Sequence, residues 1–195
     1  LFKDTFPIVS PSHIELAAAQ NGGDLNCVLH SGNLPARFES WQLGEVLGNG
    51  VEAVVYNTPY TVLVQEGRHV IGRSGVVRVA NKMSLSQFRA EVRDLRAIQK
   101  GCPAVLPMCA ACWYPPCSQH STSKTVFVMR KCLKNMEGHY GPDSREPRSW
   151  LEVRDVLGFW VAALGAAERR VVFGDLKLGN LVVDEEGGLH MIDVG

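Results

Sequence analysis

Phe173-Gly-Asp-Leu-Lys-Leu-Gly-Asn180, then Leu181-Val-Val, then Met191-Ile-Asp-Val-Gly195, is the most informative part of the chain. Two short apolar runs, Leu181 to Val183 and Leu189 to Ile192, flank the turn Asp184 to Gly188 and read as a hairpin bordered by carboxylates and amides. Asp175, Lys177 and Asn180 precede that hairpin, and Asp193 follows it directly. Asp, Asn and Gly are common wherever strands are joined. Turn chemistry accounts neither for Lys177 nor for an apolar hairpin set between two polar groups, so the pattern asks for a chemical reason.

Upstream of this stretch, Ser149 and Glu152 form a capping box ahead of an apolar run through Trp150, Val153, Leu157, Trp160, Val161 and Leu164, which predicts a buried helix. The polar stretch Arg130 to Ser149 reads as a connector. Two strands are expected around Ala104 to Cys109 and Thr125 to Met129, enclosing a Cys- and Pro-rich loop. Ser84 and Gln87 make a second capping box, and Leu85, Phe88, Val92, Leu95 and Ile98 then recur at helical spacing. On that helix Glu91 falls on the flank of the apolar stripe and can reach inward, while Asp94 points further out. From Trp41 to Val79, short runs of Val, Leu, Ile and Tyr broken by Gly, Asn and Pro predict antiparallel strands. Residues 1–40, with Pro7, Pro11, Pro35 and the Gly22-Gly23 pair, read as an extension or linker containing one short helix from His13 to Gln20.

The chain has 195 residues and is 46% apolar, enough for a packed core and too much for a disordered chain. Twenty Lys and Arg balance twenty Asp and Glu, so no global field gathers nucleic acid or anionic lipid, and no nucleic-acid partner is expected. The longest apolar run, Val156 to Ala167, is shorter than the roughly 20 residues a membrane span needs. The sequence opens at Leu1 and stops at Gly195 straight after a polar motif, which suggests a piece of a longer protein.

Asp175, Lys177, Asn180 and Asp193 stand in the order and spacing of a protein-kinase catalytic loop, hairpin and metal-binding Asp-Phe-Gly motif, and the chain resembles that family. Such chemistry needs a loop that offers one carboxylate to the attacking hydroxyl and an amide oxygen to a metal, with a second carboxylate returned to the same metal. Leu47-Gly-Asn-Gly-Val-Glu-Ala-Val-Val-Tyr56 resembles the glycine-rich loop, with Gly48 and Gly50 admitting phosphate to the backbone and Val55 covering the base. Val79-Ala-Asn-Lys82 resembles the strand motif whose lysine contacts the α- and β-phosphates and pairs with a helix glutamate, here Glu91, with Asp94 as its rival. The resemblance places Met129 near the gatekeeper position and Arg130 to Leu133 at the hinge.

It implies an α+β, kinase-like two-lobed fold: an N-terminal extension over 1–40, a β-rich N-lobe and hinge over 41–133, and a truncated helical C-lobe over 134–195. ATP and Mg²⁺ would be the cofactors, with Asn180 and Asp193 on the metal and a Ser or Thr hydroxyl of a protein as acceptor. Asp175 would take the hydroxyl proton, and Lys177 would neutralise charge on the moving phosphoryl group.

The pattern also departs from the family. Phe173 and Gly174 replace the His and Arg of His-Arg-Asp, and Ala53, Asn81, Leu178 and Val194 stand where Gly, Ile, Pro and Phe are usual. Ala53 is tolerated only where its backbone needs no positive φ. The departures keep a second reading open, a pseudokinase that binds nucleotide or partners without transfer, and a third, a kinase-like enzyme acting on small molecules. Together with the N-terminal extension and the long hairpin they resemble the rhoptry kinases of apicomplexan parasites, which would imply secretion from an apical organelle and host-protein partners; otherwise a cytoplasmic location is expected. Cys102, Cys109, Cys112 and Cys117 crowd one segment, with Cys109 and Cys112 in a Cys-x-x-Cys pair; free thiols, disulfides and zinc are the alternatives, and His120 alone does not complete a zinc pattern. His69, His139 and His190 show no ligand spacing.

Overall fold

The computed structural model describes residues 15–16, 27–29, 34–66, 69–101, 105–106, 108–136 and 177–192. In chain order the strands are β1 (Glu15–Leu16), β2 (Cys27–Leu29), β3 (Val46–Asn49), β4 (Ala53–Glu66) and β5 (His69–Asn81). Helix α1 (Leu85–Gly101) follows, then β6 (Met108–Tyr114), β7 (Lys124–Arg130), β8 (Lys134–Asn135), β9 (Leu181–Val183) and β10 (Leu189–Met191). The architecture is α+β. The chain divides into two units, Leu1–Arg93 with Pro107–Lys131, and Asp94–Leu106 with Cys132–Gly195.

The first unit is built on an antiparallel sheet in the order β1-β6-β7-β5-β4-β2, with β3 also pairing β4. Without the short β1 and β2, five strands remain, in the order β6-β7-β5-β4-β3. The two faces of β5 do different work because side chains alternate. Val77 and Val79 enter a core with Val62, Val64, Val126, Val128, Cys112 and Tyr114. On the opposite face, Phe127 of β7 meets Phe88 of α1 with ring centroids 5.9 Å apart. Both rings are buried, and each contributes on the order of 2–3 kcal/mol relative to an exposed ring.

Helix α1 starts where the sequence predicts it. The Gln87 N–H donates to Ser84 Oγ at 3.2 Å and the Ser84 N–H donates to Gln87 Oε1 at 2.9 Å, the reciprocal capping box. The end of the predicted extension is tied to the sheet: Leu34 and Trp41 are buried, the Trp41 indole donates to the Tyr114 hydroxyl at 2.7 Å, and that hydroxyl donates to the Pro35 carbonyl at 2.7 Å.

Two local readings change. Where a helix is expected over His13–Gln20, Glu15–Leu16 is a strand opposite Trp113 and Cys112. The open edge of β6 supplies backbone partners that a short isolated helix lacks. The strand expected over Ala104–Cys109 runs instead over Met108–Tyr114, so Cys109 and Cys112 lie on a buried strand. Cys109 is disulfide-bonded, and Cys112 is a free thiol whose burial pushes its pKa up to about 12.

In the second unit, β10-β9-β8 form a small antiparallel sheet, and Val105 bridges to Met191. The turn between β9 and β10 is organised by Asp184, whose Oδ1 accepts the Glu186 and Gly188 N–H groups at 3.0 and 2.6 Å. Its Oδ2 lies 2.7 Å from His190 Nε2. The helix expected beyond Ser149 lies outside the described residues. Among the described residues no helix is long and apolar enough to cross a membrane.

Candidate functional site

The glycine-rich hairpin belongs to the first unit. Strands β3 and β4 pair with a register shift between Val46 and Gly48, and the Gly50 N–H donates to the Ala53 carbonyl at 2.9 Å to close the tip. Val51 at that tip is fully exposed. Ala53 opens β4 opposite Ala80 without a positive φ, so the departure from glycine there costs the hairpin no backbone strain. At Gly48 an added Cβ would meet nothing nearer than Val55 Cβ, at 4.0 Å. The fold itself therefore has room for a side chain at Gly48, and close approach of a ligand to the backbone is a reason for glycine that packing does not supply. Val55 sits opposite Gly48 on one side and Arg78 on the other.

The ion pair expected between Lys82 and Glu91 takes a different cation. Arg78 Nη1 lies 3.2 Å from Glu91 Oε1, with both side chains largely shielded, and the guanidinium stacks 5.5 Å from the centre of the Phe127 ring. Arg78 projects from the α1-facing side of β5, whereas Lys82 follows the strand and is exposed. Lys82 has φ +66°, the one positive φ outside glycine among the described residues. Three hydrogen bonds explain that conformation. The Lys82 N–H donates to the Ser123 carbonyl at 3.1 Å, while the next carbonyl, Met83, accepts the Trp113 indole at 2.8 Å and the Ser123 hydroxyl at 2.6 Å. The turn into α1 is thereby fixed to the ends of β6 and β7. Lys82 forms no ion pair among the described residues. On the helix, Glu91 rather than Asp94 is the shielded carboxylate.

Arg78 was missed because the spelling Val-Ala-x-Lys drew the assignment four residues on. The signal for it is a charged residue interrupting the apolar run Val76-Val77-Arg78-Val79, which burial must pair. Met129, half-buried near the end of β7, sits opposite Val76 and Met108. The expected hinge, Arg130 to Leu133, contains the boundary at which Lys131 closes the first unit and Cys132 opens the second.

In the second unit, Lys177 is exposed and precedes a single 3₁₀ turn, Leu178–Asn180, in which the Asn180 N–H donates to the Lys177 carbonyl at 3.0 Å. Asn180 is buried. Its carbonyl accepts the Ile192 N–H at 2.8 Å, which brings the two ends of the β9–β10 hairpin together. Asn180 and the residue preceding Asp193 are thus neighbours through the backbone. Asp175 and Asp193 themselves lie outside the described residues. No family model matches the chain, and no curated protein matches its sequence.

Proposed function

We propose that the chain is a kinase-like catalytic domain that transfers the γ-phosphoryl group of ATP to a Ser or Thr hydroxyl of a protein. The observation that carries this reading is the Arg78–Glu91 ion pair. It joins a central strand to the helix that follows it, in a five-stranded antiparallel sheet whose first hairpin is the glycine-rich one. A nucleotide-binding lobe uses such a pair to set a strand cation against phosphate. The β9–β10 hairpin, closed by the Asn180–Ile192 backbone bond, adds support in the second unit.

Gly48 and Gly50 let phosphate approach the hairpin backbone, Val55 and Met129 bound the adenine, and Arg78 takes the ion-pair role that the resemblance gives Lys82. Asn180 and Asp193 would hold Mg²⁺, Asp175 would accept the acceptor's proton, and Lys177 would neutralise charge on the phosphoryl group. The bound nucleotide with its Mg²⁺ supplies the phosphoryl group and the charge that polarises it. If the likeness to rhoptry kinases holds, the acceptors are host proteins. The disulfide at Cys109 suits export through an oxidising compartment.

One observation favours a second reading, a nucleotide-binding pseudokinase: the strand cation paired with Glu91 is an arginine, whose planar guanidinium does not substitute for a lysine's point charge. Melting with and without Mg-ATP, run beside a label-transfer assay on a generic basic protein, separates the readings. A raised melting temperature with transfer abolished by Asp193→Ala supports the kinase. A raised melting temperature without transfer moves the assignment to the binding module. No response to Mg-ATP in either assay rejects both.

A further inference from the structure

We propose that Glu39, Cys117 and His120 form a binding site for a zinc-class divalent cation, separate from the phosphoryl-transfer chemistry. The three residues each offer one donor atom, and those atoms lie within 4.8 Å of one another. Cys117 Sγ is 3.8 Å and His120 Nε2 3.4 Å from Glu39 Oε1. Zinc bonds of about 2.0 Å to oxygen, 2.0–2.1 Å to nitrogen and 2.3 Å to sulfur place ligand atoms roughly 3.3–3.6 Å apart at a tetrahedral angle. The cluster therefore needs to contract by only a few tenths of an ångström along the two measured edges.

The surroundings orient the donors as a metal site requires. His120 Nδ1 lies 2.8 Å from the Thr122 carbonyl, a contact that fixes the ring with Nε2 toward Glu39. The Cys117 N–H donates to the His120 carbonyl at 2.9 Å, closing the Cys-x-x-His turn so that thiol and imidazole approach from one loop. With its amide turned to face the carboxylate, the Gln119 nitrogen donates to Glu39 Oε1 and Oε2 at 3.1 and 3.2 Å, holding the third ligand. Phe38 forms an apolar wall, its ring 5.7 Å from the imidazole in an edge-to-face contact. Cys117 is a free, exposed thiol, reachable by a metal and uncommitted to the disulfide that takes Cys109.

The donor set chooses the metal. A thiolate with an imidazole favours zinc or its analogues over Mg²⁺, so the site does not compete for the ion that accompanies ATP. Three protein ligands leave a fourth position for water or an exogenous group. Residues from two distant segments converge there, so the metal would clasp the segment before Trp41 to the loop between β6 and β7.

Co²⁺ titration of the 195-residue chain, with the Cys109 disulfide left intact, tests the site. The expected result is one equivalent of Co²⁺ producing a thiolate-to-metal charge-transfer band, displaced by one equivalent of Zn²⁺. The band should vanish in Cys117→Ser, persist in Cys132→Ser, and require at least about tenfold more metal in Glu39→Gln and His120→Gln. In the unmutated chain Zn²⁺ should slow alkylation of Cys117 relative to Cys132, a readout that no folding defect can mimic. A band surviving Cys117→Ser, unchanged affinity in Glu39→Gln and His120→Gln, or equal alkylation of Cys117 with and without Zn²⁺ would each overturn the proposal.

Discussion

Arg78 and Lys82 stand four residues apart, yet only one of them faces helix α1. Which cation meets Glu91 depends on where β5 ends and on the turn that removes Lys82 from its alternation. The Val-Ala-x-Lys spelling contains neither fact, although it falls at the end of β5 and ahead of α1. Removing Arg78 takes away the cation that lies 3.2 Å from a half-buried carboxylate. Arg78→Ala should therefore lower unfolding free energy by about 1–2 kcal/mol in a denaturant titration, and Arg78→Ala/Glu91→Ala should cost less than the sum of the two single changes. The left-handed backbone of Lys82 makes a second expectation at this scale: Lys82→Gly should exceed Lys82→Val in stability by about 1 kcal/mol or more. Equal stabilities would contradict the φ assigned to that residue.

Cys112 contributes a pH dependence of definite sign. Burial raises its folded-state pKa above the unfolded value of about 8.5–9, so the stability it contributes is complete below that value and is lost as pH climbs toward about 12. Burial also raises Tyr114, which acts in the same direction at higher pH. Urea midpoints should be flat near neutrality and fall by an equivalent of about 1 kcal/mol or more by pH 10. Cys112→Ala should flatten part of that fall; an unchanged slope would show that the thiol ionises without penalty.

At the scale of elements, β9, β10 and the start of α1 were legible because their signals are local. Asp184 and the glycines at 187 and 188 spell the turn, and Ser84 with Gln87 spells the cap. Asp184→Ala removes an acceptor of two backbone N–H groups and the partner of His190, and should destabilise the hairpin by about 2–3 kcal/mol, read as early hydrogen exchange of the amides at 186 and 188. Protection unchanged from wild type would show that the turn holds without the carboxylate. The start of β6 was misread because the apolar run through Ala104–Cys112 has no period to mark where pairing begins. The strand at Glu15–Leu16 was hidden for a different reason: its hydrogen bonds come from an edge remote in sequence, which no local pattern can announce. The same holds for Glu39, which is 78 residues from Cys117.

For the whole molecule, the α+β class and the succession of glycine-rich hairpin, strand, helix and C-terminal hairpin were readable because each carries its own punctuation. What the sequence could not supply is tertiary register. That decided the cation opposite Glu91 and brought Glu39 beside Cys117 and His120. The functional account rests on one proposal, that this chain binds ATP together with Mg²⁺. Calorimetric titration of ATP into the chain, with and without Mg²⁺, tests it most directly. One Mg²⁺-dependent site, weakened at least about tenfold by Arg78→Ala and by Asp193→Ala, is the expected result; the absence of binding at millimolar ATP, or binding indifferent to Mg²⁺ and to both substitutions, would contradict it.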